Sequence, residues 1–193
     1  MDEARLAEHL LGGGAALLPT DTLPALAVHP SAASLIWQLK ARPADKPLIL
    51  MGSDPEQLQA ALGQAWRPEW LSQAEASWPG ATTLVLPFGG ALTAALHPGG
   101  ASLGLRVADC GPLRALLGRT GPLATSSANR SGESPALNLA EALAQFPALP
   151  WLEPLPWPPA SGQASTVLAW RADDGHPGSW QVLRQGAMSH RGG

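Results

Sequence analysis

The sequence predicts a single-domain α/β fold built on a mixed β-sheet. Short apolar runs of strand length alternate along the chain with segments whose apolar residues recur at helical spacing. Some strand-like runs follow one another without a helix between them, so antiparallel pairs should occur beside parallel ones. The 193 residues suffice for one ordinary domain with a buried core, and we expect residues 1–193 to form it.

The chain should begin with a helix followed by a buried strand. Asp2 can cap this helix, and the triple glycine at 12–14 should end it. Its apolar residues should fall on one face, namely Leu6, Leu10 and Leu11. Residues 15–18 follow as a short strand, which Pro19 and three small polar residues interrupt before residues 25–28 resume as a strand.

Two further helices and a strand are predicted before residue 63. Ser31 should cap a helix that runs to Lys40 and delivers the segment KARPADKP into a loop. Residues 47–51 form a continuous apolar run, which is typical of a strand covered on both faces. Ser53 and Glu56 have the spacing of a capping box for the next helix.

The second half of the chain repeats the alternation. Strands are predicted at 82–88, 102–108, 165–170 and 180–184, with a further short strand that runs into a polar loop within 122–132. Helices are predicted near 112–117 and 136–144, and the Pro-rich segment 147–162 should be an ordered surface connection.

Composition excludes several classes of function. A formal charge of −3 and a pI near 5.9 argue against a protein that mainly coats nucleic acid. The single cysteine, Cys110, suits a reducing compartment and should be buried filler, and the five histidines lack the spacing of metal ligands. We therefore expect no protein-held metal. No apolar run is long enough for a signal peptide or a membrane span, so we expect a soluble, cytoplasmic protein without a membrane partner.

Three polar segments lie at the ends of predicted strands, where α/β proteins place ligands. They are Thr20–Thr22, the cationic segment containing Lys40, Arg42 and Lys46, and Thr125–Asn129. The cations are able to clamp a triphosphate, although Lys and Arg also favour any solvated helix C-terminus. Each polar segment taken alone is equally compatible with an ordinary turn or cap.

Taken in order, these segments resemble the motifs of the YrdC/Sua5 family of threonylcarbamoyl-AMP synthases, in its short single-domain form. The family patterns are P-T-[DE]-T, K-x-R-P, a strand ending in an arginine, S-x-N-x-S-G and S-T-[VI]. They match residues 19–22, 40–43, 104–107, 127–132 and 165–167, with Arg184 after the last motif, and residues 79–86 (PGATTLVL) resemble the family's P-G-P-x-T strand. The joint order, from about residue 12 to 187, is far more specific than any single motif.

The resemblance implies a twisted α/β domain with a large concave groove for ATP, L-threonine and bicarbonate. By position, the catalytic residues should be Lys40, Arg42, Ser127 and Asn129. These four should also contact ATP, together with Lys46, Ser102 and Arg184. Threonine should be held by Thr22, Arg106, Thr125 and Ser165, with Arg106 suited to its carboxylate.

The implied reaction forms threonylcarbamoyl-AMP and pyrophosphate for the t6A modification of tRNA. Such a displacement needs positioning and charge neutralisation, which cations, hydroxyls and Mg²⁺ supply without a protein nucleophile. Expected partners are tRNA and a t6A-transferase protein.

One departure from the family pattern leaves alternatives open. Relatives continue P-T-[DE]-T with an aromatic residue and a glycine, whereas this chain has Pro24 and Ala25 after Leu23. The alternatives are a divergent paralogue that binds double-stranded RNA, and a related carbamoyl-adenylate enzyme such as the carbamoyl-transfer domain of hydrogenase maturation. The negative net charge disfavours the first, and the single cysteine disfavours the second.

Overall fold

The computed structural model describes residues 1–172 and 178–188. Eight strands form one sheet: β1 (Ala15–Leu18), β2 (Ala25–Val28), β3 (Ile49–Met51), β4 (Thr82–Leu86), β5 (Leu103–Arg106), β6 (Leu123–Ser127), β7 (Thr166–Arg171) and β8 (Ser179–Arg184). The helices are α1 (Glu3–Leu11), α2 (Ser34–Lys40), α3 (Pro55–Leu62), α4 (Pro68–Ser77), α5 (Ala91–Leu96), α6 (Gly111–Thr120) and α7 (Leu139–Gln145), with a 3-10 turn at Pro30–Ala32 before α2.

The sheet is mixed, as predicted. Its spatial order is β1-β2-β6-β3-β5-β4-β7-β8. The pairs β3/β5 and β4/β7 are parallel, and the other five pairs are antiparallel. Strand β6, which ends in the S-x-N segment, therefore lies in the middle of the sheet between β2 and β3.

The two faces of the sheet are covered unequally. On one face, apolar residues such as Leu26, Leu50, Leu84 and Leu105 pack against side chains of α2, α3, α4, α5 and α7. The other face is covered by α1 and α6 at the end that includes Ala16 and Ala27. Because side chains alternate along a strand, the residues between these core positions on β4, β5, β6 and β7 point to the less covered face. That face holds the cavity described below.

The first helix is confirmed in its limits and its cap. The Asp2 side chain accepts a hydrogen bond from the backbone N–H of Arg5, and Gly12 ends the helix. Leu6 and Leu10 are fully buried, as predicted, but Leu11 is 53% exposed, so its assignment to the buried face is wrong. Leu11 is the last residue of the helix, and its side chain lies off the stripe that faces α6.

Two predicted helix caps are displaced. The chain enters α2 through the 3-10 turn, where the His29 side chain rather than Ser31 accepts the capping hydrogen bond. The cap of α3 is Asp54, which accepts from the N–H of Gln57, while Ser53 only donates its hydroxyl to Asp54. In both places a residue one or two positions away has the extended backbone that a cap requires, and its side chain is a stronger acceptor than the serine hydroxyl.

Other limits differ modestly from the predictions. Strand β3 begins at Ile49 and not at Pro47, and β4 ends at Leu86 before the next proline. Helix α7 begins at Leu139 with Asn138 as its cap, three residues later than predicted. Helices α4 and α5 were not predicted at all. Cys110 is buried at the start of α6, as expected of an apolar filler.

Candidate functional site

A cavity of about 460 Å³ lies on the less covered face of the sheet. Its floor consists of alternate strand residues, including Ile49, Thr83, Val85, Gly104 and Thr125. Its walls come from the three polar segments that the sequence singled out, which lie after β1, after α2 and at the end of β6, and from the loop that precedes β7. This volume is within the range of small-molecule sites.

The lining of the cavity is strongly cationic. Arg42, Arg106 and Arg184 line it, and no aspartate or glutamate is among its lining residues in the described part of the chain. Asp21 pairs with Arg106, so the uncompensated positive charge comes from Arg42 and Arg184, and it favours anionic ligands in this partly apolar cavity. The arrangement therefore suits phosphates and carboxylates rather than a cationic or purely apolar ligand.

Arg106 is held rigidly at the floor. It is 4% exposed, and each of its side-chain nitrogens has a protein partner. Nη2 forms an ion pair with Asp21, Nη1 donates to Thr22 Oγ1 at 2.9 Å, and Nε donates to the carbonyl of Gly80 at 3.2 Å. Burial lowers the pKa of Arg106, and the Asp21 carboxylate opposes that shift. The guanidinium is thus preorganised before any ligand arrives.

A tight turn presents the partners of Arg106. Thr20 Oγ1 donates to the carbonyl of Leu23 and accepts from the backbone N–H groups of Thr22 and Leu23. The carbonyls of Asp21 and Thr22 in turn accept hydrogen bonds from the N–H groups of Ser161 and Gly162. The polar residues that interrupt the apolar run after β1 therefore form one wall of the cavity. Their backbone carbonyls hold this wall against the segment that precedes β7.

Lys40 contradicts the expectation of an exposed loop cation. It is only 1% exposed, and its Nζ donates to the backbone carbonyls of Ser127 and Asn129 and, at 3.3 Å, to Asn129 Oδ1. Burial, and then the neighbouring Arg42, lower the pKa of Lys40 to about 8. A backbone hydrogen bond also links the end of α2 to this loop, since the N–H of Ser131 donates to the carbonyl of Lys40. Lys40 therefore fastens the S-x-N loop to the end of α2.

Asn129 is also used within its own loop. Its Nδ2 donates to the carbonyls of Arg130 and Glu133, and its Oδ1 accepts from Ser127 Oγ at 2.6 Å. Ser127 lines the cavity, whereas Asn129 does not. The amide of Asn129 thus fixes the position of the Ser127 hydroxyl at the cavity wall.

Arg42 and Lys46 lie on the loop between α2 and β3. Arg42 lines the cavity, and its Nη2 donates to the carbonyl of Pro47 at 3.2 Å. Its Nε is buried and has no hydrogen-bond partner among the described residues, so the protein does not satisfy every donor of this guanidinium. Lys46 is exposed and does not line the cavity.

The opposite wall is built around Ser165. Its hydroxyl is 2.9 Å from that of Thr83, and its carbonyl accepts two hydrogen bonds from Arg184. Ser165 is 3% exposed and Thr125 is 2% exposed, and both line the cavity. Thr125 donates its hydroxyl to the carbonyl of Ile49.

The structure brings most of the sequence-predicted site residues together. Those that line the cavity are Thr22, Arg42, Ser102, Arg106, Thr125, Ser127, Ser165 and Arg184. Lys40 and Asn129 lie behind the wall, and Lys46 lies on the surface. Sequence reasoning missed Thr83, His97 and Gly104 as parts of the site, and it gave Asp21 no role although the segment Thr20–Thr22 was a candidate. Asp21 stands in the P-T-[DE]-T motif itself, and Gly104 is a glycine inside a strand, so both carried a signal.

Gly104 gives the cavity part of its depth. A Cβ built on it would lie 3.4 Å from Thr83 Cγ2 and 3.5 Å from Ile49 Cγ1, which are ordinary contacts with other floor residues. Gly104→Ala should therefore fold with unchanged or slightly higher stability, because alanine costs less conformational entropy than glycine in a strand. We expect the added methyl group to raise KM for the ligand above it by about tenfold. A variant with wild-type KM would show that the ligand does not reach this floor.

The described residues contain neither a cluster of metal ligands nor a membrane-spanning helix. No group of three or more histidine, cysteine or acidic side chains is placed to hold a metal ion. Among residues 1–172 and 178–188, no helix has the length and apolar character needed to span a bilayer.

The fold and the cavity define an α/β domain with a site suited to anionic small molecules on the less covered face of a mixed sheet. A family model named Sua5_yciO_yrdC and described as "Telomere recombination" matches residues 8–186. The chain belongs to this Sua5/YciO/YrdC family.

Similar proteins include a threonylcarbamoyl-AMP synthase from Saccharophagus degradans, which is 37% identical over 131 residues. That match covers 66% of this chain and 68% of the relative. Among solved structures, P. abyssi Sua5 in complex with L-threonine superposes with a TM-score of 0.83 at 26% identity, covering 95% of this chain. This chain spans about half of that Sua5 chain, 54%. E. coli YciO gives a TM-score of 0.80 at 19% identity over 97% of this chain and 90% of its own, which shows the shared fold.

Proposed function

We propose that this protein is an L-threonylcarbamoyladenylate synthase, a nucleotidyltransferase that forms threonylcarbamoyl-AMP and pyrophosphate from L-threonine, bicarbonate and ATP. The observation that carries the proposal is the cavity with three arginines and no carboxylate in its described lining. The threonylcarbamoyl-AMP synthases among its relatives and the threonine complex of Sua5 support the choice of substrates. We propose that residues 1–193 act as one domain.

We assign the threonine site to the floor around Arg106. Its fixed guanidinium suits the carboxylate of the amino acid, with the hydroxyls of Thr22, Thr125 and Ser165 close to it in the lining. Placing the amino acid at the most buried cation of the cavity lining removes its carboxylate from water, which strengthens the charge-assisted hydrogen bonds. The α-amine is then free to face the remaining volume of the cavity.

We assign ATP to the walls that carry Arg42, Ser127, Ser102 and Arg184. The guanidinium of Arg42, which makes one hydrogen bond to the protein, is a donor for phosphate oxygens. The hydroxyl of Ser127 gives its proton to Asn129 Oδ1, so it is an acceptor for a donor on the ligand. Lys46 lies beside Pro47 at the rim, where it is able to reach the outer phosphates. Lys40 and Asn129 contribute to catalysis by holding Ser127, and Lys40 adds positive charge behind it. Because the described lining holds no carboxylate, Mg²⁺ should arrive on the phosphates as part of the substrate.

The proposed reaction has two steps. The unprotonated amine of threonine adds to the carbon of bicarbonate, and loss of water leaves an N-carboxylate. An oxygen of this carbamate then attacks the α-phosphorus of ATP, the bond to the bridging oxygen of pyrophosphate breaks, and the electron pair leaves with pyrophosphate. The arginines neutralise the charge that develops on the transferred group, so no protein nucleophile is needed.

The product is a mixed anhydride that hydrolyses readily in water. We therefore propose that it passes to a t6A-transferase partner, which transfers the threonylcarbamoyl group to adenosine in tRNA. The three arginines line one concave cavity rather than forming a basic face that could lie along a duplex, so no observation favours RNA binding as the main role.

Incubation with MgATP, L-threonine and ¹³C-bicarbonate tests the proposed activity. Mass spectrometry should detect threonylcarbamoyl-AMP that is heavier by one mass unit than the product of unlabelled bicarbonate. Omitting threonine or bicarbonate should abolish pyrophosphate release. Release that persists without threonine would contradict the proposed substrate.

A further inference from the structure

His97 is a polar residue of the cavity that the predicted site did not include. It follows the last residue of α5 and lines the cavity with Pro47, Leu48 and Ser102. The N–H of Leu48 donates to the carbonyl of Leu96, so the histidine stands beside the start of β3. The adjoining lining from Leu48, Ile49 and Val85 is apolar.

The loop after His97 is built around its imidazole ring. Nδ1 is 2.8 Å from the carbonyl oxygen of Ser102. Gly99 has a φ of +75°, which favours glycine, and allows the chain to fold back over the ring. A Cβ on Gly100 would lie 2.2 Å from ring atoms Cε1 and Nδ1, so only glycine permits this contact. The segment HPGGAS therefore fixes both the position and the orientation of the ring.

This contact also determines the tautomer of the neutral ring. A carbonyl oxygen only accepts hydrogen bonds, so the Nδ1 that contacts it carries the proton. Nε2 is then an acceptor, and it makes no hydrogen bond to any residue in 1–172 or 178–188. A fixed acceptor is unsuited to phosphate oxygens, which are acceptors themselves, and it suits a hydrogen-bond donor on a flat, partly apolar ligand group.

We infer that His97 Nε2 accepts a hydrogen bond from the 6-amino group of adenine and so selects ATP among purine nucleotides. The inference rests on the proposed function for the identity of the ligand. The apolar lining beside the histidine would take the faces of the base, while the arginines take the phosphates. ITP is the matching probe, because it carries a carbonyl acceptor where ATP carries the amino donor.

The ratio of kcat/KM for ATP to kcat/KM for ITP tests this role. The wild type should favour ATP by about tenfold or more. The amino group of ATP donates to Nε2, whereas the carbonyl oxygen of ITP is an acceptor that faces the acceptor Nε2. His97→Ala should bring the ratio close to one, and His97→Gln, which retains an acceptor oxygen, should recover part of it. Both nucleotides are measured on one preparation, so the ratio does not depend on the fraction of enzyme that is folded.

His9 supplies a matched control. Its Nε2 is also hydrogen-bonded to a backbone carbonyl, that of Ala15 at 3.0 Å, and its ring also packs on a glycine, Gly14, but it does not line the cavity. His9→Ala should keep the wild-type ratio. A wild-type ratio in His97→Ala, or equal use of the two nucleotides by the wild type, would overturn the inference.

Calorimetric titration with ATP and ITP in the absence of threonine separates this inference from the proposed function. If the protein makes no threonylcarbamoyl-AMP, the proposed function fails. The inference still stands if the wild type binds ATP at least tenfold more tightly than ITP and His97→Ala does not. It fails if His97→Ala retains the preference.

Discussion

Lys40→Met should destabilise the protein by about 1–3 kcal/mol and abolish synthesis of the adenylate. The ammonium donates to three oxygens of Ser127 and Asn129 in a place that is 1% exposed. Methionine fills a similar volume but leaves the carbonyl of Asn129 without a donor, and one unsatisfied buried group costs about 1–3 kcal/mol. The carbonyl of Ser127 still accepts from the N–H of Asn129, and Asn129 Oδ1 still accepts from the Ser127 hydroxyl. Urea unfolding measures the loss, and pyrophosphate release measures the activity.

Arg42→Ala is the contrasting variant on the same K-x-R segment. Its side chain is half-buried and makes one hydrogen bond to a protein acceptor, so unfolding should change by less than about 1 kcal/mol. We expect its affinity for ATP to fall at least about tenfold, because a charged donor of the cavity is lost. Wild-type stability in Lys40→Met, or wild-type ATP affinity in Arg42→Ala, would contradict the division of roles between the two cations.

Arg106→Gln should cost about 3–5 kcal/mol of stability and remove threonine binding. The substitution leaves the carboxylate of Asp21, whose side chain is 15% exposed, without its cation, and breaking one side of a buried ion pair is strongly destabilising. Chemical unfolding measures the stability, and calorimetric titration with L-threonine measures the binding.

The double variant Asp21→Asn/Arg106→Gln separates these two effects. It removes the unpaired charge and should recover part of the stability, but it should still not bind threonine, because the guanidinium is absent. The ion pair between Glu3 and Arg119 lies on α1 and α6, away from the cavity, and Glu3→Gln serves as the control with little effect. Threonine binding by the double variant would contradict the assignment of Arg106 to the carboxylate.

Much of the fold could be predicted because its strands and helices have clear signals in their own residues. Runs such as residues 15–18 and 25–28 are apolar on both faces, and the structure buries both completely. Helix α4 could also have been predicted, since Trp66, Trp70, Ala74 and Trp78 recur every four residues and Pro68 lies in the first turn. The two displaced caps lie one or two residues from the predicted positions. In each case several neighbouring polar side chains are able to cap the helix, and the local sequence does not decide which one does.

The contacts that organise the site join residues far apart in the sequence, so they could not be predicted from local sequence patterns. Lys40 meets Ser127 and Asn129 only because α2 packs beside the loop after β6, 87 and 89 residues along the chain. Asp21 meets Arg106 across 85 residues for the same reason. A motif indicates which residues share a site, but whether a lysine faces the ligand or lies behind the wall depends on how distant segments pack.

A crystal structure with L-threonine and a non-hydrolysable ATP analogue tests the central claim most directly. We predict both ligands in the one cavity on the open face of the sheet, with the threonine carboxylate on Arg106 and the phosphates on Arg42 and Arg184. Ligands bound instead in the apolar groove lined by Trp151 and Trp157, or a threonine carboxylate that lies away from Arg106, would contradict it.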